Sequence, residues 1–289
     1  MQAFLDMRTL IFVSGVTSII LFVCMVYIRH KQKTYDGFEQ WIFSALINAV
    51  GMILLSQRGI WSDFLTVVIA NTCLILSLVL INVGLSRFAE LQSHNELYLL
   101  SMLLLLAAFW GFTYSLPSLT FRVVVFCVFQ SALCVISAIL VYRYLPQTLP
   151  QKNYALFWFF IFCAAWPVWR LISFFGVSEK PVDLIKAGFF EQLTVLGGIE
   201  GYIIIYIGLI VINTQRVEQK MINAENEIKT ITGFIPICAN CKKIRDDKGS
   251  WNQMEAYLGK HADMEFSHGI CPECMQKAYP DKTIRKNNV

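Results

Sequence analysis

The stretch Phe64-Leu-Thr-Val-Val-Ile-Ala-Asn-Thr-Cys-Leu-Ile-Leu-Ser-Leu-Val-Leu-Ile-Asn-Val-Gly-Leu85 carries no charged side chain. It exceeds the roughly 20 residues that an α-helix needs to cross the hydrocarbon core of a bilayer. Six more apolar stretches surround it, at about 9–28, 40–56, 97–116, 121–142, 154–176 and 190–213. The second in chain order is short and is flanked by Glu39 and Gln40. The count is therefore seven spans, or six if that stretch lies at the interface. The first run is too long for the apolar region of a cleaved leader and no Ala-x-Ala site follows, so it reads as an anchor that stays.

Composition agrees. The chain is 56% hydrophobic and 15% charged, against about a quarter charged in an ordinary soluble domain, and its mean hydropathy is +0.55. The apolar excess ends near residue 213 and the rest is polar. The net charge of +4 sits largely in loops beside the apolar runs, a pattern of membrane topology rather than of nucleic-acid binding. Arg29, Lys31 and Lys33 follow the first run, Arg87 the third, Arg143 and Lys152 the fifth, and Arg216 and Lys220 the seventh. The other side holds Arg8, Arg58, Lys180 and Lys186, the last two offset by Glu179 and Asp183. The positive-inside rule then places the N-terminus outside and the C-terminus in the cytoplasm.

Charged residues at membrane depth are costly. Glu200 falls near the middle of the seventh run, Arg170 in the outer part of the sixth and Arg122 near the outer end of the fifth. By helical rise, Arg170 and Glu200 differ in depth by about 6 Å, within reach of one arginine side chain. The three residues are a candidate intramembrane polar site. Two readings follow: a ligand or proton site, or a structural Arg170–Glu200 pair with Arg122 snorkelling to the interface. Pro167 should kink the sixth helix. Gly197-x-x-x-Gly201 permits close helix contact, within the chain or between copies. Asn48, Asn71, Asn82 and Gln130 are expected to hydrogen-bond between helices.

Beyond the seventh run, Val217, Met221, Ala224, Ile228 and Ile231 recur at spacings that form an a/d stripe. That stripe suits a homodimer through this connector, or a single helix packed on its own tail. Gly233 and Pro236 end the helix. Then come Cys238-Ala-Asn-Cys241 and Cys271-Pro-Glu-Cys274. Two Cys-x-x-Cys knuckles in one short polar segment are a zinc signal, and a reducing cytoplasm favours metal over disulfides. The expected ligands are Cys238, Cys241, Cys271 and Cys274, with His268 as an alternative ligand or a supporting residue. A redox dithiol is the weaker alternative, since no thioredoxin-like context surrounds either pair. Asp246-Asp247-Lys248-Gly249 reads as a hairpin turn, Trp251–His261 as a helix, Glu265–Ile270 as a short strand, and Pro272–Tyr279 as a final helix whose N-terminus favours thiolates. Cys24, Cys73, Cys127, Cys134 and Cys163 lie in apolar runs and read as small hydrophobes.

The fold class is thus an all-α polytopic membrane bundle (1–213), a helical connector (214–232) and a small α+β, treble-clef-like zinc module (233–289). The run from Gly233 to Trp251, with Glu265-Phe-Ser-His-Gly-Ile-Cys-Pro-Glu-Cys274, resembles a short module at the C-terminus of many bacterial two-component and sensor proteins. The membrane part, with Asp6-Met-Arg-Thr-Leu10 and Gly37-Phe-Glu-Gln-Trp41, resembles the multi-helix N-terminal sensor regions of bacterial histidine kinases and diguanylate cyclases. The resemblance implies a sensing role in a bacterial inner membrane, with a cytoplasmic signalling protein as partner. It carries over no activity, because neither a cyclase Gly-Gly-Asp/Glu-Glu-Phe signature nor an ATP-binding glycine-rich segment occurs. The leading expectation is a non-enzymatic signalling protein. A transporter or enzyme using Arg170 and Glu200 is the rival, and a zinc or redox sensor the third reading.

Overall fold

The computed structural model describes residues 6–92, 95–147, 149, 154–176, 189–232, 236–246, 248–261, 266–267 and 269–280; at 147, 176, 189–191, 226–232 and 261 it describes backbone alone. Gly233, Asp247, Glu265, His268, residues 177–188 and the side chains of Ile228 and Ile231 lie outside that set. The chain divides into two compact units, Met1–Ile222 and Asn223–Val289.

The named elements of the first unit are all helices among the described residues. Its elements are α1 (Met7–Lys31), α2 (Phe38–Ser56), α3 (Ala70–Phe88), α4 (Asn95–Trp110), α5 (Leu119–Arg143), α6 (Tyr154–Gly176) and α7, which begins at Phe189 and continues to Thr232. A π-helical turn, Phe64–Ile69, leads into α3, and another, Gly111–Ser115, extends α4. With these turns, seven helices are long and apolar enough to cross a membrane, Phe38–Ser56 among them, which favours seven spans over six. The surface matches that solvent. Phe12, Val23, Leu99, Leu103, Trp158 and Ile172 are exposed, an arrangement that water would penalise and lipid does not. Asp6 caps α1 by accepting from the Thr9 amide at 3.1 Å, and Ser118 caps α5, satisfying amides that a helix start leaves open.

The core centres on α3, which packs against α2, α4 and α5, while α1 packs on α2 and α6 on α5. Lipid tails are as apolar as leucine, so close packing and polar contacts must hold the helices together. Ser44 donates to the Ser77 carbonyl at 2.8 Å and shares a hydrogen bond with Tyr206. Asn48 donates to Ser18 at 2.8 Å. Asn82 donates to the Leu133 carbonyl at 3.2 Å and accepts from Ser137. Each such bond contributes about 0.6 kcal/mol. Asn48 and Asn82 thus act as the sequence predicts. Asn71 does not: it donates to Val67 within its own helical segment. Gln130 makes no interhelical bond among the described residues.

Glycine shapes two contacts. Gly37 has a φ of +97°, and a Cβ there would lie 2.9 Å from the Gly84 carbonyl carbon. The two bare backbones meet, and Trp41 packs over Gly84 to donate to the Ile81 carbonyl at 3.3 Å. The motif Gly37-Phe-Glu-Gln-Trp41 is therefore a packing device at the start of α2. On α7, Gly197 faces Trp166, and a Cβ on Gly201 would lie 3.4 Å from Cys163 Sγ. The small-residue stripe receives α6 of the same chain. Helix α6 runs through Pro167 without interruption.

The described structure of the second unit contains the end of α7, a two-residue hairpin of β1 (Ile244–Arg245) and β2 (Trp251–Asn252), then α8 (Met254–His261) and α9 (Pro272–Ala278). Helix α8 starts later than the sequence predicts because Trp251 and Asn252 are spent on the sheet. Phe266, Ser267, Gly269 and Ile270 form no strand, correcting the Glu265–Ile270 expectation; strands of two residues offer little edge for a third.

Candidate functional site

Every helix of the bundle contributes to one cavity of about 110 Å³. Its walls come from the start of α1 (Ile11), the end of α2 (Leu55), the α3 entry (Val67, Asn71), the end of α4 (Phe109), the start of α5 (Arg122), the end of α6 (Arg170) and the start of α7 (Thr194 to Tyr202). Alternating starts and ends place it at one end of an up-and-down bundle, the end at which α1 begins. Val67, in the π-helical turn before α3, is one of its lining residues, consistent with the frequent use of such turns at functional sites.

Arg122 and Arg170 line this cavity, as does Arg58 just beyond α2. Arg58 is buried, its carbonyl accepting from the Arg8 side chain at 3.0 Å. The structure thus brings together Arg122 and Arg170, but not Glu200. The expected Arg170–Glu200 pair is corrected: the ion pairs among the described residues are Arg29–Glu39 and Arg216–Glu90, and Glu200 is exposed. The cause is rotation rather than depth. Thr194, Gly198 and Tyr202, four residues apart, form the α7 wall. At 3.6 residues per turn, Glu200 points about 160° from the middle of that wall.

At the opposite end of the bundle a second polar constellation fixes α7. Arg216 is buried, stacks 4.4 Å from the Tyr35 ring centroid and 4.9 Å from that of Phe88, and donates to the Phe88 carbonyl and to Glu90. One turn earlier, Asn213 accepts from the Tyr35 amide at 3.2 Å. Lys220 Nζ also lies over the Tyr35 ring, 5.0 Å from its centroid. Sequence reasoning counts Arg58 and Arg216 only as topology markers. The signal that could have singled out Arg216 is Asn213 one turn before it, still in the apolar run.

In the second unit the two cysteine pairs share a local form. The Cys241 amide donates to Cys238 Sγ at 3.5 Å, and the Cys238 amide donates to the Lys243 carbonyl at 2.8 Å. Lys242 takes a φ of +59° to close this turn. Cys271 is the N-cap residue of α9. The Cys238 thiol is held below its ordinary range mainly by the Cys241 amide. The Cys271 thiol is held down likewise by the Cys274 amide. Cys238 and Cys271 are therefore disposed toward thiolate, the form that binds metal. Among the described residues no three of His, Cys, Asp and Glu gather into a metal-holding group. The hairpin beside the first pair is set by Asp246, whose carboxylate accepts from the Ser250 and Lys248 amides at 2.8 and 3.0 Å and from the Asn252 side chain at 2.7 Å.

Comparison with known protein families, curated proteins and solved structures returns no match.

Proposed function

We propose that this chain is a non-enzymatic membrane signalling protein of a bacterial inner membrane, in which α7 passes a stimulus from the bundle to a zinc-stabilised docking module. The observation that carries the reading is the double duty of α7. The helix that walls the cavity with Thr194, Gly198 and Tyr202 is also the one whose chain runs on to the cysteine segment. The basic loops support a reading with the cavity at the outer end and the cysteines in the cytoplasm. Cys238, Cys241, Cys271 and Cys274 are the zinc ligands in this reading, with His268 as the alternative, and the metal would supply folding energy that so short a segment lacks. Met221 of the connector stripe is exposed, which supports a homodimer through that stripe. The partner is a cytoplasmic signalling protein.

The test starts with the purified full chain, which should carry one zinc; Cys238→Ser and Cys271→Ser should each lose it. Absence of stoichiometric zinc from the full chain would remove the docking module. In cells, deleting 233–289 should abolish any output while leaving the bundle folded in the membrane. An output that survives the deletion would sink the relay.

A further inference from the structure

One face of α5, from Leu119 through Phe126 to Gln130, lines the cavity at the α1 end of the bundle. One turn beyond Gln130, Cys134 lines a narrow continuation of about 10 Å³, no larger than a single water needs. Gln130 thus stands at the deep end of the cavity, near the middle of α5. We propose that the cavity binds a small neutral amphiphile, an alcohol or a primary amide, whose polar head pairs with the Gln130 amide and whose apolar body lies among the aromatic walls. The amide gives the first argument. The Gln130 side chain has no hydrogen-bond partner among the described residues. It carries a carbonyl that accepts and an NH₂ that donates, and within a membrane leaving both unmet is costly. Asn71, also in the lining, spends its N–H on the Val67 carbonyl at 2.6 Å, which leaves its own carbonyl to accept. Two open acceptors favour a head that donates as well as accepts. Arg58, Arg122 and Arg170, in the same lining, each make an interaction already, and a neutral head needs none of them.

The walls give the second argument. Phe109, Phe126 and Trp166 contribute apolar surface to the same space, which water alone would leave unmatched. Gly198 gives the third. Gly197 and Gly201 are needed for packing, since a Cβ on either would meet Trp166 or Cys163, whereas a Cβ on Gly198 meets nothing within 4 Å. The room that Gly198 leaves belongs to the cavity rather than to a helix contact. Size sets the body: a cavity of about 150 Å³ takes benzene, so 110 Å³ suits about four carbons by the same scale. Pentanamide has that body and a head that donates and accepts. A long-chain alcohol from the bilayer offers the same head chemistry, with its chain leaving through the opening.

This proposal deepens the signalling reading and depends on it only for what binding would cause. Calorimetric titration of the full chain in phosphatidylcholine nanodiscs tests it, with empty nanodiscs as the blank and with pentanamide, pentan-2-one, pentanoate and dodecanol as probes. One pentanamide per chain is expected. Pentan-2-one, which accepts but cannot donate, should bind about tenfold more weakly, because the acceptors of the site stay unpaired. Gln130→Leu should weaken pentanamide by about the same factor and erase its advantage over pentan-2-one. Gly198→Leu should abolish binding, and it decides the matter if Gln130→Leu fails to fold. Dodecanol displacing pentanamide supports the site with a bilayer source; pentanamide holding its place supports it with an aqueous one. Tighter binding of pentanoate than of pentanamide, equal binding of pentan-2-one, full affinity in folded Gln130→Leu or Gly198→Leu, or failure of pentanamide to bind the folded chain overturns the proposal. Hydrogen exchange of the 236–280 amides with and without pentanamide separates the two ideas: binding without any change there keeps the site and removes the relay.

Discussion

Adjacent glycines on α7 should respond in opposite directions to the same substitution. Gly197→Ala puts a methyl 2.7 Å from Trp166 Cε2 and nearer still to Cζ2, where carbon atoms prefer about 3.5–4.0 Å. The ring must retreat by more than an ångström, and it is tethered, since its Nε1 donates to the Thr194 carbonyl at 3.0 Å. Overpacking of this kind costs about 1–3 kcal/mol, offset by about 0.5–1 kcal/mol from removing a helix-interior glycine. The net is a loss of about 1–2 kcal/mol. Gly198→Ala keeps the helix gain and meets only open cavity, so it should stabilise by about 0.5–1 kcal/mol. The two variants should differ by about 2 kcal/mol in reversible unfolding from mixed micelles. Equal effects, or a greater loss for Gly198→Ala, would mean that α7 does not turn Gly197 toward Trp166 and Gly198 toward the cavity.

Arg216→Gln should destabilise the bundle by about 2–3 kcal/mol, since it removes charge-assisted hydrogen bonds and ring stacking together; Arg216→Lys should recover less than half, read in the same unfolding assay. The Asp246 carboxyl is held below the ordinary aspartate range chiefly by the Ser250 amide, then by the Asn252 side chain. Its contribution is therefore present above the unfolded value of about 4 and lost as pH falls through the lower folded value. Amide exchange at Lys248 and Ser250 should accelerate across that acid window, and Asp246→Asn should flatten the dependence. Single cysteines in 32–37 and in 57–63 should label from opposite sides of a sealed membrane, with the 57–63 loop outside; labelling of 32–37 from outside would reverse the topology.

Seven spans are legible in the sequence because each is a charge-poor run of the length a bilayer demands, and the Phe64–Leu85 run needs no neighbour to interpret it. The connector is legible too, as α7 continuing to Thr232. What a sequence reports poorly is azimuth. Arg170 and Glu200 match in depth, yet a helix turns about 100° per residue, and the wall formed by Thr194, Gly198 and Tyr202 sends Glu200 outward. Gly197, packed on Trp166, is the available clue to that rotation. Arg58 and Arg216 pass as loop charges in the sequence because their roles depend on Tyr35, Phe88 and α5, distant in the chain. The cysteine pairs show the same limit: each knuckle is a local matter of spacing, whereas convergence of the two depends on the whole stretch between residues 242 and 270.

The slot that holds Arg216 has a mechanical consequence. Its two rings, Tyr35 and Phe88, belong to different parts of the chain from α7, and stacking attraction fades beyond about 6 Å from a ring centroid. A guanidinium is in such a slot or out of it; turning α7 halfway does not yield half the bond. The contact works as a detent. Small torques on α7 bend the helix and are absorbed, while a torque that exceeds the detent lets the helix snap to a new setting. A preference of even 1–2 kcal/mol for the slot skews the seated and unseated settings by a factor of about 5–30, so motion of α7 past this point would be stepped rather than graded.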